Sequence, residues 1–543
     1  MTKRSCFFII FLALTGSTVN AQKIAGPLII KDGIAEGYTL FAPLNRNSTY
    51  LIDNCGRIIN EWVSNYYPGN TAYLLPNGNL LRTRRLTNTA INGGGGGGGV
   101  ELLDWNSKVV WSYELNTNLL RLHHDVKPLP NGNILMIVWE AKTTEEALAA
   151  GRSPDLIPAN GVVWSEQIIE VKPIPPDNSE IVWRWSLWDH LVQDLDPAKP
   201  GYGVVSEHPE LVDINYVASS NSDWIHANAI DYNVDLDQIV MSSPFLNEFW
   251  IIDHSTTTAE AASHTGGDSN RGGDLLYRWG NPEVYKRGVL EDRKIFGQHD
   301  VHWVKGGQYD GQIILFNNKR GSDYSSVDII DPPLNELKTY DIDEGAYLPE
   351  LPSFSYTTSP QENMYSQIMA GAEILPNGNL LICSSRQGVF FEVTPVGDTV
   401  WYYKSPVTTS GIVGRDIFTD DPEYKNDLNF RTVKYPIDYP AFLGRTIVPQ
   451  EPIEGEPWAC EAITGVSEIL AKSNRIFPNP TVSRITVEAI SDKTYLSLEL
   501  TDILGKVLGK ASGNRKVEFD LSNYPPGLYI LSDGKSRYKI LKR

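Results

Sequence analysis

Three of the nine histidines in this 543-residue chain fall at one recurring position. His124-Asp125-Val126 and His299-Asp300-Val301 share a pattern, and His226 holds the same place ahead of Ala227-Asn228-Ala229-Ile230. Counting back from the prolines of three Pro-Asn-Gly-Asn segments extends the column to Asn70, His124, His226, His299 and Ala370. Arginines mark a second position: Arg320 after Ile313 to Phe316, Arg386 after Leu380 to Cys383, and Arg84 in an earlier equivalent. A neutral imidazole can attack as a nucleophile or exchange a proton with a phenol. A guanidinium fork pairs with sulfuryl or phosphoryl oxygens. Brought to one place, these groups suit transfer of an anionic group. Three histidines could also hold zinc. However, no His-x-His spacing exists, and Asp125 and Asp300 directly follow their histidines and so face away. No metal and no cofactor is expected. His123 and His302 lie off the column and are assigned to packing or support. His190, His208, His254 and His264 carry no clear signal.

A repeat must position this column. Leu74 to Leu81, Pro130 to Leu135 and Leu375 to Leu381 each place Pro-Asn-Gly-Asn between apolar β-prone runs, which is a tight-hairpin signal. A second hairpin follows each, ending in tryptophan at Trp111, Trp183 and Trp401, and an earlier one ends at Trp62. Serial four-stranded sheets with recurring Gly and aromatic residues read as propeller blades. Blade starts near Thr39, Ala72, Asp125, Ala227, Asp300 and Gly371 predict an all-β, six-bladed β-propeller, with five or seven blades as alternatives. The first strand of each blade lines the channel, so the column converges on one mouth. Antiparallel second strands return Arg320 and Arg386 to it. The segments Lys142 to Ala159, Trp188 to Asn221 and Thr257 to Asp274 read as loops, and the run Gly93 to Gly99 as a linker or a flap over the mouth.

Composition narrows the function. A net charge of −19 argues against nucleic-acid partners. Any anion site therefore needs its own local cations. Lys3 and Arg4, the apolar run Cys6 to Leu14 and the small residue Ala21 predict a signal peptide over 1–21, with no membrane span in the mature chain. Cys55, Cys383 and Cys460 then remain, so at most one disulfide forms. The propeller is assigned to 22–405 and a Pro- and acid-rich extension and linker to 406–472. A small β-sandwich is expected over 473–543.

Two resemblances follow from these motifs. Asp223-Trp224-Ile225-His226-Ala227-Asn228, Gln298-His299-Asp300 and Asn317-Asn318-Lys319-Arg320-Gly321, with the Leu-Pro-Asn-Gly-Asn repeat, resemble motifs of the arylsulfate sulfotransferases. The resemblance implies sulfuryl transfer from a phenolic sulfate to a phenol through a histidine intermediate, without a nucleotide donor. It implies His226 and His299 as active-site histidines and Arg320 as the residue that grips the sulfate; the repeat register adds His124 as a catalytic residue and Arg386 as a substrate-binding residue, with Asn228 beside them. The family's best-studied branch uses a late-blade histidine as nucleophile, and here that slot holds Ala370. Another column histidine, His124 or His226, then takes the sulfuryl group, or the transferase activity is altered or lost. The alternatives are a non-catalytic propeller that binds an anionic or phenolic ligand, and an aryl-sulfate hydrolase. Pro478-Asn479-Pro480, Asp502 to Gly505, Leu521 to Leu531 and the basic end resemble the type IX sorting domain of Bacteroidetes. That resemblance implies handling by the type IX secretion machinery through 473–543, and a secreted or outer-membrane surface-attached protein.

Overall fold

The structure is a computed structural model that describes residues 25–216, 221–342, 345–414, 425–455, 475–477, 481–489, 495–502, 506–525, 527–532 and 537–542. The expected signal segment, Cys460 and the Pro478-Asn479-Pro480 motif lie outside these residues. The chain divides into two units, Met1–Trp458 and Ala459–Arg543.

The first unit is a β-propeller. Its described residues carry six antiparallel sheets of four or five strands, numbered here one to six along the chain, beside one two-stranded pairing. Sheets two to six begin with the inner strands Pro68–Leu74, Leu120–Pro128, Ala229–Asn233, His299–Trp303 and Gly371–Ile374. Inner strands of neighbouring sheets pack side by side in order around the ring. The Pro-Asn-Gly-Asn hairpins behave alike: Gly78, Gly132 and Gly378 have φ of 87°, 87° and 85°, the left-handed region that favours glycine. Outer-strand tryptophans join neighbours. The indole Nε1 of Trp62 donates to Asp104 O, Trp111 to Asn178 O, Trp185 to Gly273 O, Trp279 to Pro349 O and Trp401 to Asn54 O.

The ring closes through a segment the sequence assigned to the extension. Asn429–Pro436 pairs antiparallel with Gly37–Pro43, from Gly37↔Pro436 to Phe41↔Thr432, and is the inner strand of sheet one. At the other end of the chain, Gly26–Ile30 adds a fifth strand to sheet six by pairing with Thr399–Lys404. The late strand was hidden because its polar residues are buried by pairing. Lys434 Nζ lies 2.9 Å from Glu392 Oε2 with both side chains enclosed. Arg431 reaches the centre of the ring, 2.5 Å from Asp125 Oδ2 and 2.9 Å from Asp300 Oδ1. This cluster touches every sheet. Arg431 comes from sheet one and also donates to Tyr73 Oη of sheet two. Asp125 of sheet three accepts from Ile230 N of sheet four, and Asp300 of sheet five accepts from Ala372 N of sheet six.

The segments read as loops contain ordered pieces. Thr144–Ala149 is a helix with a Thr143/Glu146 capping box, and Leu191–Val192 pairs in parallel with Val212–Asp213. Cys55 is disulfide-bonded and Cys383 is a buried free thiol.

The second unit is a small β-sandwich. One sheet holds Arg475–Phe477, Arg484–Glu488 and Lys516–Asp520, and the other holds Tyr495–Asp502, Val507–Asn514, Gly527–Ser532 and Arg537–Lys542. Ile485, Val487, Leu498, Leu500, Phe519 and Leu531 form its core. Among the described residues, no helix is long and apolar enough to cross a membrane.

Candidate active site

The histidine column meets at one cavity. His124, His226 and His299 all line a space of about 520 Å³ at the channel. The backbone is left-handed at or next to the column positions: φ is +46° at His124, +55° at His226, +57° at Asp300 and +78° at Ala370. Left-handed backbone costs a non-glycine residue roughly 1–2 kcal/mol, and such strain gathers at functional sites. Much of the remaining wall is aromatic and apolar, with Pro244, Phe245, Phe296, Ile368, Met369 and Phe430, beside the polar Asn247 and Gln367. The cations on the wall are Lys319 and Arg293.

Each imidazole is held differently. His299 Nδ1 lies 2.9 Å from Asn318 Oδ1 and 3.1 Å from Gly297 O. The amide of Asn318 donates to Ser366 O and Met369 O, which turns its oxygen toward His299. Nδ1 therefore carries the ring proton, and Nε2 keeps its lone pair. Burial pulls the His299 pKa down to about 4, so this ring is neutral at physiological pH. His226 Nδ1 lies 2.5 Å from Asp223 Oδ2, and its ring stacks on Phe245 with centroids 4.4 Å apart. His124 meets His226 edge-on at 4.6 Å, and burial together with the neighbouring imidazoles holds its pKa well below the usual histidine value. His124 Nδ1 lies 2.8 Å from Nδ1 of His123, whose Nε2 is 2.9 Å from Glu166 Oε2.

The glycine run is part of this wall. Gly94 and Gly95 line the cavity, and Gly95 O accepts from His124 N at 2.8 Å. A Cβ on Gly95 would lie 1.9 Å from His124 Nε2 and 2.2 Å from each adjacent ring carbon, on the face of the imidazole. Gly95 also has φ +75°. Gly95→Ala should therefore displace His124 and lower turnover about 10²-fold or more, since a 1 Å error in a catalytic group has that effect. Steady-state kinetics on an aryl sulfate check this, and unchanged turnover would refute it.

The expected substrate-binding residues fall elsewhere. Arg320 and Arg386 are exposed and are not among the lining residues. Arg320 lies beyond the end of Ile313–Asn317, in the turn that presents Lys319 to the cavity, and Arg386 sits in the short 3-10 helix Ser385–Gln387. Asn228 is fully buried behind the wall, where its amide donates to Gln298 O. Arg84 pairs with Glu114 at 3.1 Å, away from the cavity. Asp125 and Asp300 turn from the cavity toward Arg431, as their position after the histidines predicted. Sequence reasoning missed Asn318, Lys319, Asp223, Glu166 and Phe430. Three of these lay inside the quoted motifs, next to the residues chosen. Among the described residues, the cluster with metal-ligand spacing is His190, His264 and Asp274. It lies away from the cavity, and both ring nitrogens of His190 are already engaged, by Asp274 and by Ala261 O at 2.8 Å each.

Comparison with known proteins decides the family. The model described as arylsulfotransferase (ASST) matches residues 31–404, more than half of the chain. The chain belongs to the arylsulfotransferase family. Membership supports a sulfotransferase-type function. The secretion system C-terminal sorting domain matches residues 475–543, which directs export by type IX secretion to the cell surface or extracellular space. No curated protein matches the sequence. Solved structures similar to this arylsulfotransferase include a protein of unknown function from Bacteroides caccae, at 10% identity and TM-score 0.39, covering 74% of this chain and 99% of that one. A catalytically inactive virginiamycin B lyase from Staphylococcus aureus with quinupristin matches at 9% identity and TM-score 0.29, covering 68% and 83%. Kuenenia stuttgartiensis hydrazine synthase matches at 14% identity and TM-score 0.29, covering 52% and 65%.

Proposed function

We propose that this arylsulfotransferase moves a sulfuryl group from a phenolic sulfate to a phenol through a sulfuryl-histidine on His299. The observation that carries this reading is the fixed tautomer of His299: Asn318 holds the proton on Nδ1, which leaves Nε2 a free nucleophile at the cavity. In the first half-reaction Nε2 attacks sulfur, the S–N bond forms, and the S–O bond to the phenol breaks. In the second half-reaction an acceptor phenol oxygen takes the sulfuryl group and the S–N bond breaks. Lys319 and Arg293 offer positive charge to the transferred oxygens, and Asp223 holds His226 beside them. His124 exchanges the proton of the phenol. The aromatic and apolar wall suits aryl donors and acceptors. With Ala370 at the late-blade position, His299 does the work that another branch gives to a further histidine.

The test is brief exposure of the protein to 4-nitrophenyl sulfate, followed by peptide mass analysis. A sulfuryl-sized increment is expected on the His299 peptide, chased off by added phenol. Because His299 is neutral above about pH 4, the burst of released phenol should persist at pH 5.5, well below the ordinary histidine value. Phenol release that is indifferent to acceptor would mark a hydrolase. Sulfate-ester binding with no increment would mark a binding protein. Either result refutes the transferase.

A further inference from the structure

Glu166 and His123 are buried groups that the reaction described above leaves unused. Both side chains are fully enclosed, in sheet three. Glu166 stands in Val162–Ile174, cross-strand from Trp139. His123 stacks on Trp139 with centroids 3.9 Å apart and planes 2° apart, so its ring has one orientation. Glu166 Oε1 accepts from Ala227 N at 2.8 Å, which fixes the carboxyl plane. Oε2 meets His123 Nε2 at 2.9 Å, and His123 Nδ1 meets His124 Nδ1 at 2.8 Å. His124 lines the cavity, and its far nitrogen is Nε2.

Two nitrogens at 2.8 Å hold one proton between them. That rule leaves the chain two arrangements. With Glu166 protonated, its hydroxyl donates to His123 Nε2, His123 Nδ1–H donates to His124 Nδ1, and His124 presents Nε2–H to the cavity. With Glu166 ionised, every proton sits one place along, and His124 presents a bare Nε2. The two arrangements differ by a single proton, and both imidazoles are neutral in each.

Resting on the sulfuryl-transfer reading, we propose that Glu166 and His123 form a proton relay that switches His124 Nε2 between donor and acceptor. When the aryl S–O bond breaks, His124 Nε2–H protonates the leaving phenolate oxygen. His123 Nδ1–H moves to His124 Nδ1, and the Glu166 proton moves to His123 Nε2. When the acceptor phenol attacks, its proton enters at Nε2 and the shifts reverse, restoring neutral Glu166. The protons move together, because any stepwise order leaves a charged imidazole ring among buried side chains. The surroundings agree. Burial holds Glu166 well above the usual carboxyl range, and nearby Asp223 adds to this. Burial, with His226 and Arg121 nearby, keeps His123 well below the usual histidine value. Glu166 and His123 touch no substrate and act through His124 as positioning and relay residues.

The test compares sulfuryl-enzyme formation from 4-nitrophenyl sulfate and from phenyl sulfate in the full-length protein and in Glu166→Gln and Glu166→Asp. The amide of Gln fixes the chain in one arrangement. Nitrophenolate leaves without a proton, so Glu166→Gln should stay within about tenfold of wild type on that donor. Phenolate needs one, so the rate with phenyl sulfate should fall by about 10²- to 10⁴-fold, and Glu166→Asp should recover part of the loss. An equal loss on both donors, or none on phenyl sulfate, overturns the relay. The wild-type protein gives an independent reading: with phenyl sulfate, the rate plotted against solvent deuterium fraction should bow downward, and a straight line overturns the concerted shift. If wild type forms no sulfuryl-enzyme from either donor, the underlying transferase reading has failed instead.

Discussion

His299→Ala should lower kcat/KM for 4-nitrophenyl sulfate by roughly 10⁴- to 10⁶-fold, the scale on which removal of a covalent nucleophile acts. It should also remove the burst of phenol. His226→Ala should retain a sulfuryl-enzyme that forms about 10²- to 10⁴-fold more slowly, since electrostatic and proton-transfer groups act on that scale. The contrast follows from the geometry. Asn318 and Gly297 O both accept from Nδ1 of His299, so its Nε2 keeps a lone pair and has no proton to give. His226 instead has a carboxylate partner, Asp223, at Nδ1. Burst kinetics with each variant check the assignment. A sulfuryl-histidine that persists in His299→Ala, or is lost only in His226→Ala, would exchange the two roles.

Arg431→Met should cause the largest loss of stability, about 3–5 kcal/mol, because it strands the carboxylates of Asp125 and Asp300 in the centre of the ring. Burial would lower the Arg431 pKa, but the two carboxylates outweigh it and raise the value, so the guanidinium stays charged. Its removal also weakens the Ile230 N and Ala372 N contacts that tie Asp125 and Asp300 to sheets four and six. The companion variant Asp125→Asn/Asp300→Asn/Arg431→Met removes the stranded charge and should recover much of the loss, since apolar or neutral replacement of a whole buried cluster is often tolerated. Denaturant midpoints measure both. A midpoint unchanged in Arg431→Met would show that the cluster carries no load.

The repeat made the histidine column legible. Pro-Asn-Gly-Asn fixes the hairpin, the hairpin fixes the register, and the register brings His124, His226 and His299 to one cavity. What lay in turns was harder to place. Strand counting returned Arg320 to the channel end, but the turn after Asn317 presents Lys319 there. His123 was set aside because alternation turns it from the mouth. It does face away, yet the left-handed backbone at His124 brings the two Nδ1 atoms to 2.8 Å. Its partner Glu166 depends on the pairing of Val162–Ile174 with Ile134–Thr143, which no local pattern reveals. Asn429–Pro436 escaped notice for a related reason. A strand with buried Thr432 and Lys434 and a nearly enclosed Arg431 lacks an apolar face, and Arg431 and Lys434 are paired only by distant sheets.

That late strand has a consequence for any shortened form of the protein. The family match ends at 404, whereas circular closure requires residues up to Pro436. A product cut at the family boundary would leave Gly37–Pro43 as a bare edge with unpaired N–H and C=O groups, would lack Phe430 from the cavity, and would leave Asp125 and Asp300 without their shared cation. Such an open arc invites strand exchange with a second copy. During synthesis the same logic sets a timetable: most of the polypeptide must wait, unlocked, for a few residues made just ahead of the export tail.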